Sequence, residues 1–164
     1  MSGFQVAEVP VLAGWLGITP LPGRGGDYPG DLGAIHAWAP DLVISLAGTD
    51  EMQGRADRLA TDLGRIGVAW RHFPITDFGV PTAAEDALWP LLADEAAGWL
   101  GRGGRVLVHC KGGCGRSGMI ALRLMVGAGE APGAALARLR AVRPCAVETA
   151  DQLAWGSQGT APAA

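Results

Sequence analysis

At 164 residues, 49% apolar and carrying a net charge of −3, the chain is sized for one domain with a proper core and lacks the basic footprint of a nucleic-acid or membrane-surface binder. No apolar run reaches membrane-spanning length, and no basic leader precedes an apolar stretch at the N-terminus. Three cysteines without a C-x-x-C pair point to a reducing compartment, so the expectation is a cytoplasmic protein with no membrane insertion, metal or cofactor.

Residues 4–11 and 13–18 are short apolar runs, the first interrupted by Pro10, and read as a hairpin at a sheet edge. Residues 21–30 are a loop by their proline and glycine content, with Arg24 a solvated side chain before it is a ligand contact. Residues 31–38 form a short helix on Leu32, Ile35 and Trp38, in which the lone His36 is structural. Within 41–46, Leu42-Val43-Ile44 is continuous enough for a central parallel strand. Thr49 then caps a helix carrying Met52, Leu59, Leu63 and Ile66, and residues 68–73 form the next strand.

Thr82 and Glu85 have capping-box spacing behind Pro81. The helix they open is expected to bury Leu88, Leu91, Leu92, Ala96 and Trp99 and to stop at Gly101. Residues 106–108 read as a buried strand and 119–126 as a buried helix ended by Gly127 and Gly129. Pro132 starts a further helix on Leu136, Leu139 and Val142, and Thr149 with Gln152 forms a second capping box before a last short helix. Residues 1–156 are thus one domain and 157–164 an expected disordered tail. Strands alternating with helices make this an α/β domain, with a central, mostly parallel sheet flanked by helices. Ligands of such sheets bind beyond the C-terminal ends of the strands.

One such end carries the chemistry. The run Val106-Leu107-Val108-His109-Cys110-Lys111-Gly112-Gly113-Cys114-Gly115-Arg116-Ser117-Gly118 joins the buried strand to the buried helix. Its glycines permit the turns by which successive N–H groups face one point, and the helix start adds unpaired N–H groups and the positive end of its dipole. Lys111, the only lysine in the chain, lies inside this loop. The substrate-phosphate contacts expected are therefore Lys111, Gly112, Gly113, Cys114, Gly115 and Arg116. A thiol beside a helix N-terminus and a guanidinium ionises readily. Arg116 offers a planar fork for two phosphoryl oxygens, and Cys110 beneath them is placed for in-line attack to give a cysteinyl-phosphate. Ser117 could donate to the sulfur when it becomes the leaving group.

Gly113 to Gly118 is formally G-x-G-x-x-G, but a dinucleotide site needs a second parallel strand after the helix, and the next segment reads as helix instead. A structural glycine turn around an inert cysteine leaves the lysine and arginine unexplained. The stretch resembles the H-C-x5-R-[ST] signature of the cysteine-dependent protein tyrosine and dual-specificity phosphatases, matched by His109, Cys110, Arg116 and Ser117.

A thiolate attacking a phosphomonoester needs an acid for the departing oxygen. Asp77, in Phe73-Pro74-Ile75-Thr76-Asp77-Phe78-Gly79-Val80-Pro81, lies just past a strand at the same sheet edge. On a lid with Gly79 as hinge it could close over the substrate as general acid and later base; a turn aspartate capping local N–H groups is the plainer account. This segment looks like the general-acid loop of the cyclin-dependent-kinase-associated phosphatases, an atypical dual-specificity branch. Gly17-Ile18-Thr19-Pro20-Leu21-Pro22-Gly23, Leu42-Val43-Ile44-Ser45-Leu46 with Thr49-Asp50-Glu51-Met52, and Glu148-Thr149-Ala150-Asp151-Gln152 are similar to other parts of that family.

The resemblance implies a phosphoric monoester hydrolase with a phosphorylated protein or small phosphoester as substrate, and catalytic roles for Cys110, Arg116, Asp77 and Ser117. Gln152 takes either of two parts, water positioning as in the wider class or helix capping. A phosphoinositide phosphatase is an alternative, although Cys114 stands where that branch has a second lysine. A silent phosphate-binding module and a sulfur-transfer or arsenate-reducing thiol enzyme are the rivals from other classes. Cys110 and Cys114 are close enough in sequence for oxidation to join them, while a small apolar side chain is the more ordinary account of Cys114.

Overall fold

The computed structural model describes residues 3–159. Five strands form one sheet: β1 (Ala7–Val11), β2 (Gly14–Thr19), β3 (Leu42–Ser45), β4 (Ala69–His72) and β5 (Arg105–His109), in the order β1-β2-β5-β3-β4. β1 and β2 make the expected antiparallel hairpin, and β2, β5, β3 and β4 run parallel. Pro10 sits in β1, the edge strand, where a missing N–H interrupts no ladder on the open side.

β5 lies at the centre, and its alternation divides the core. Val106 and Val108 pack on one face with Leu16, Ile18, Leu42 and Ile44, while Leu107 and Val43 face the other way onto Ile35, Leu59 and Leu63. α1 (Tyr28–Trp38) and α3 (Leu59–Arg65) supply that second face. α4 (Ala83–Gly101), α5 (Gly115–Gly127), α6 (Pro132–Val142) and α7 (Ala150–Ser157) cover the first. α5 is buried almost all round, and its sequence after Ser117 is apolar but for the half-buried Arg123, whose Nη1 donates to Trp155 O (2.9 Å).

Several boundaries differ from the sequence reading. α1 begins at Tyr28, because Asp27 accepts from Gly30 N and Pro29 occupies the first turn. The single helix expected after Thr49 is two, α2 (Thr49–Met52) and α3, separated at Gly54 with its φ of 75°. α4 buries Ala96 as expected and packs Leu92 and Trp99 against the core, but Leu88 and Leu91 are 60% and 74% exposed, and Trp89 and Leu100 are buried in their place. Val142 at the end of α6 is likewise exposed. α7 reaches Ser157, so the first residue of the expected tail is helical; residues 160–164 of that tail lie outside the described residues.

Candidate active site

β5 ends at His109 and α5 begins at Gly115, and the five residues between wrap a turn around the helix start. The loop carbonyls are held from outside. Leu21 N donates to Lys111 O (3.0 Å), Arg143 Nη2 to Gly112 O (2.8 Å), Arg143 Nε to Gly113 O (2.8 Å), and Gly118 N to Cys114 O (2.8 Å). With the carbonyls turned outward, the N–H groups turn inward. Among the described residues, no protein group accepts from the N–H of any residue from Lys111 to Ser117. Gly113 makes this path with φ 71°, and a Cβ there would come within 2.7 Å of Pro20 N, so no other residue fits.

Cys110 is 2% exposed and is the free cysteine; its Sγ lies 3.3 Å from Ser117 Oγ. Arg116, 1% exposed, is gripped as a fork by Glu51, a residue of the acidic turn that carried no assigned role. Its Nη1 donates to Glu51 Oε2 (2.8 Å) and Ile75 O (2.9 Å), and its Nη2 to Glu51 Oε1 (2.8 Å). The bonds from Arg116 hold the Glu51 carboxyl below the usual carboxylate range against the opposing effect of burial. Burial works most strongly against the charge of Arg116, but its bonds to Glu51 together with the negative charges of Cys110, Glu51 and Asp77 outweigh that, so the guanidinium is held above its ordinary value. Asp77 Oδ1 lies 3.2 Å from Arg116 Nη2, with about half of the Asp77 side chain exposed. The lid aspartate thus already stands at the loop, paired to the guanidinium.

His109 is fully buried, and its bonds fix its proton. Cys110 O can only accept, so Nδ1 (3.1 Å) carries the hydrogen and Nε2 accepts from Ser45 Oγ, which in turn accepts from Trp70 Nε1 (2.8 Å). Burial pushes the imidazole down to about 4, so it is neutral at ordinary pH. It positions the Cys110 backbone.

The structure corrects the reading of Cys114. It is disulfide-bonded to Cys145, 31 residues on, and therefore neither a free apolar side chain nor a partner for Cys110. Two of the three cysteines are paired, which also removes the odd cysteine count as a sign of a reducing compartment. Arg24 touches the loop, its Nη1 donating to Lys111 O at 3.4 Å. Gln152 is fully buried, with its side chain bonded on both sides. Neither Glu51 nor Arg143 had a local signal, because each meets the loop from far along the chain.

Two cavities flank the loop. One of about 440 Å³ opens over Lys111, between Asp50, Glu51, Asp77 and Glu85. The other, about 660 Å³, lies beyond Gly112 and is lined by Arg24 and Arg143. Cys110, Arg116, Ser117 and Asp77 belong together, and the loop glycines frame them.

The family described as Cyclin-dependent kinase inhibitor 3 (CDKN3) matches residues 41–134, more than half of the chain. A kinase associated phosphatase (KAP) with its catalytic-site cysteine replaced by serine is similar with a TM-score of 0.81 and 21% identity, over 95% of this chain and 93% of that one. Tk-PTP in the active form is similar with a TM-score of 0.67 and 28% identity, over 85% and 87% of the two chains. PTPMT1 in complex with PI(5)P is similar with a TM-score of 0.70 and 18% identity, over 92% of each. No curated protein sequence matches the chain.

Proposed function

The chain belongs to the Cyclin-dependent kinase inhibitor 3 family and is a cysteine-dependent phosphatase of the protein tyrosine and dual-specificity class; we propose that it works in two steps through Cys110. In the first, the Cys110 thiolate attacks phosphorus, the phosphorus–oxygen bond of the ester breaks, and Asp77 gives its proton to the departing oxygen. In the second, water attacks the cysteinyl-phosphate, Asp77 takes the water's proton, and the sulfur leaves as thiolate with Ser117 donating to it. The inward N–H groups of Lys111 to Arg116 and the Arg116 fork hold the phosphoryl oxygens, most strongly when charge spreads over them in the transition state.

The geometry supports each role. Asp77 and a phosphate would compete for Arg116 Nη2, so binding of substrate frees the carboxyl beside the ester oxygen. A dianion there favours a protonated neighbour. Glu51 keeps the guanidinium plane set while this exchange occurs.

For the substrate we favour a phosphorylated protein over a phosphoinositide. Lys111 is the sole lysine, and Asp50, Asp77 and Glu85 line the same opening, an unfriendly rim for a further phosphate. The cytoplasm is part of the proposal, since it keeps the Cys110 nucleophile a thiol, and the Cys114–Cys145 bridge is the feature that weighs against that compartment.

The observation that carries the reading is a free, buried thiol beneath a row of N–H groups that no protein atom among the described residues accepts from, next to an arginine held as a fork. Hydrolysis of p-nitrophenyl phosphate, with vanadate as competitor, tests it. Turnover that vanadate blocks and Cys110→Ser abolishes is expected. Phosphate binding without turnover would make the chain a phosphate-binding module, and arsenate reduction in its place would make it a thiol reductase.

A further inference from the structure

Gln152 is the motif residue that the two-step route leaves unused, and its side chain has no freedom. It is fully buried. Its Oε1 accepts from Glu148 N (3.0 Å) and Thr149 N (3.3 Å), and its Nε2 donates to Gly79 O (3.2 Å). The amide orientation follows from these partners, because two N–H groups can face only the oxygen and a carbonyl only the nitrogen. A Cβ on Gly115, the first residue of α5, would come within 2.9 Å of that oxygen, so the carboxamide is packed against the phosphate loop itself.

Gly79 closes the turn that carries Asp77. Its N–H donates to Thr76 O (2.8 Å), which makes Asp77 and Phe78 the two corner residues, with Phe78 at φ 60°. On the upstream side Arg116 holds Ile75 O (2.9 Å). Gln152 holds the downstream side. The acid is therefore pinned from both directions by groups that belong to, or pack on, the phosphate loop.

We propose that Gln152 is a positioning residue for the general acid, strapping the Thr76–Gly79 turn to the start of α7, and that it does not position the hydrolytic water. The inference rests on the phosphatase reading and on Asp77 as its acid. To orient a water, Oε1 would have to leave the N–H groups of Glu148 and Thr149, and the Nε2 hydrogen that Gly79 O does not take has no solvent to face, because the side chain is fully buried.

Gln152→Glu separates the strap from the cap. Glutamate is a normal capping-box residue at this position and keeps the oxygen that Glu148 N and Thr149 N use, but it has no N–H for Gly79 O. Gln152→Met, of similar length and uncharged, loses both and guards against an effect of the added charge or a failure of the first variant to fold. The measurement is kcat/KM across aryl phosphates of graded leaving-group pKa, together with the first-turnover burst of nitrophenolate.

kcat/KM reports only steps up to departure of the leaving group, where the acid acts. The strap predicts a loss that grows with leaving-group basicity, on the order of tenfold at the basic end, inside the 10²–10⁴-fold reach of a general acid. It also predicts that adding either variant to Asp77→Asn lowers kcat/KM no further. A uniform loss along the series, or additive losses, would overturn the strap. So would unchanged kcat/KM with a new burst, since that is the mark of slowed phosphoenzyme hydrolysis and a water-positioning residue. A wild-type chain with no turnover would overturn the phosphatase reading as well, and only that outcome does so.

Discussion

Breaking the Cys114–Cys145 bridge should lower stability sharply and activity little. The bridge closes a loop across 31 residues, and constraining the unfolded chain over that length contributes about 4 kcal/mol at 25 °C. The folded side changes less: Cys145 is exposed, so an opened sulfur meets water, and Arg143 still holds Gly112 O and Gly113 O at 2.8 Å each. Cys145→Ser should therefore move the urea midpoint down by roughly 1.5–2 M for a domain of this size, and wild type under dithiothreitol should match it. Under the same conditions kcat on p-nitrophenyl phosphate should fall by less than about threefold, because the carbonyls that set the N–H direction remain pinned. A thiol count in denaturant should find Cys110 alone in the untreated chain and all three cysteines after reduction. A midpoint indifferent to reduction, or three thiols without it, would refute the reasoning.

Glu51→Gln removes the charge that fixes Arg116, so kcat should fall at least tenfold while the fold persists on the remaining contacts to Ile75 O and Asp77; an unchanged kcat would deny Glu51 its orienting role. Because the Glu51 carboxyl is held below its ordinary value in the fold, its stabilisation is complete above the unfolded value and is lost as pH falls through the folded one, a slope that Glu51→Gln should remove from urea midpoints taken across acid pH. His109 runs on a different window: the unfolded ring takes a proton near 6.5 and the buried ring only near 4, so stability should drop by roughly 3 kcal/mol as pH falls from 7.5 to 4, and equal midpoints at both ends would contradict its burial as a neutral ring. Arg116→Lys keeps the charge but loses the fork, and should lower kcat as well as weaken phosphate binding; a raised KM alone would reduce Arg116 to a binding residue.

What the sequence made legible is what lies contiguous in it. His109 to Ser117 carry nucleophile, nest, clamp and sulfur donor within one turn of chain, so residue type and spacing were enough. The alternation of strands and helices was legible for the same reason, since each element declares itself over a few residues. Pairings across the chain were not. Glu51 meets Arg116 over 65 positions, and within its own segment it is one of two acidic residues at a helix start. Cys145 has no spacing that points to Cys114, and nothing local in the sequence marks Arg143 near it. In α4 only Leu88 and Leu91 depart from the expected inward face, because they satisfy a helical stripe as well as Trp89 and Leu100 do; the packing partners, Phe73 and Trp155 against Trp89, choose between them.

The central claim is a phosphoryl group carried on one sulfur. Rapid mixing with a radiolabelled phosphopeptide, quenching in acid within the first turnover and mapping the label would test it directly. The account predicts labelled enzyme whose label resides on Cys110, present in Asp77→Asn and absent from Cys110→Ser. Turnover with no labelled intermediate, or label found on Ser117 or another residue, would contradict it.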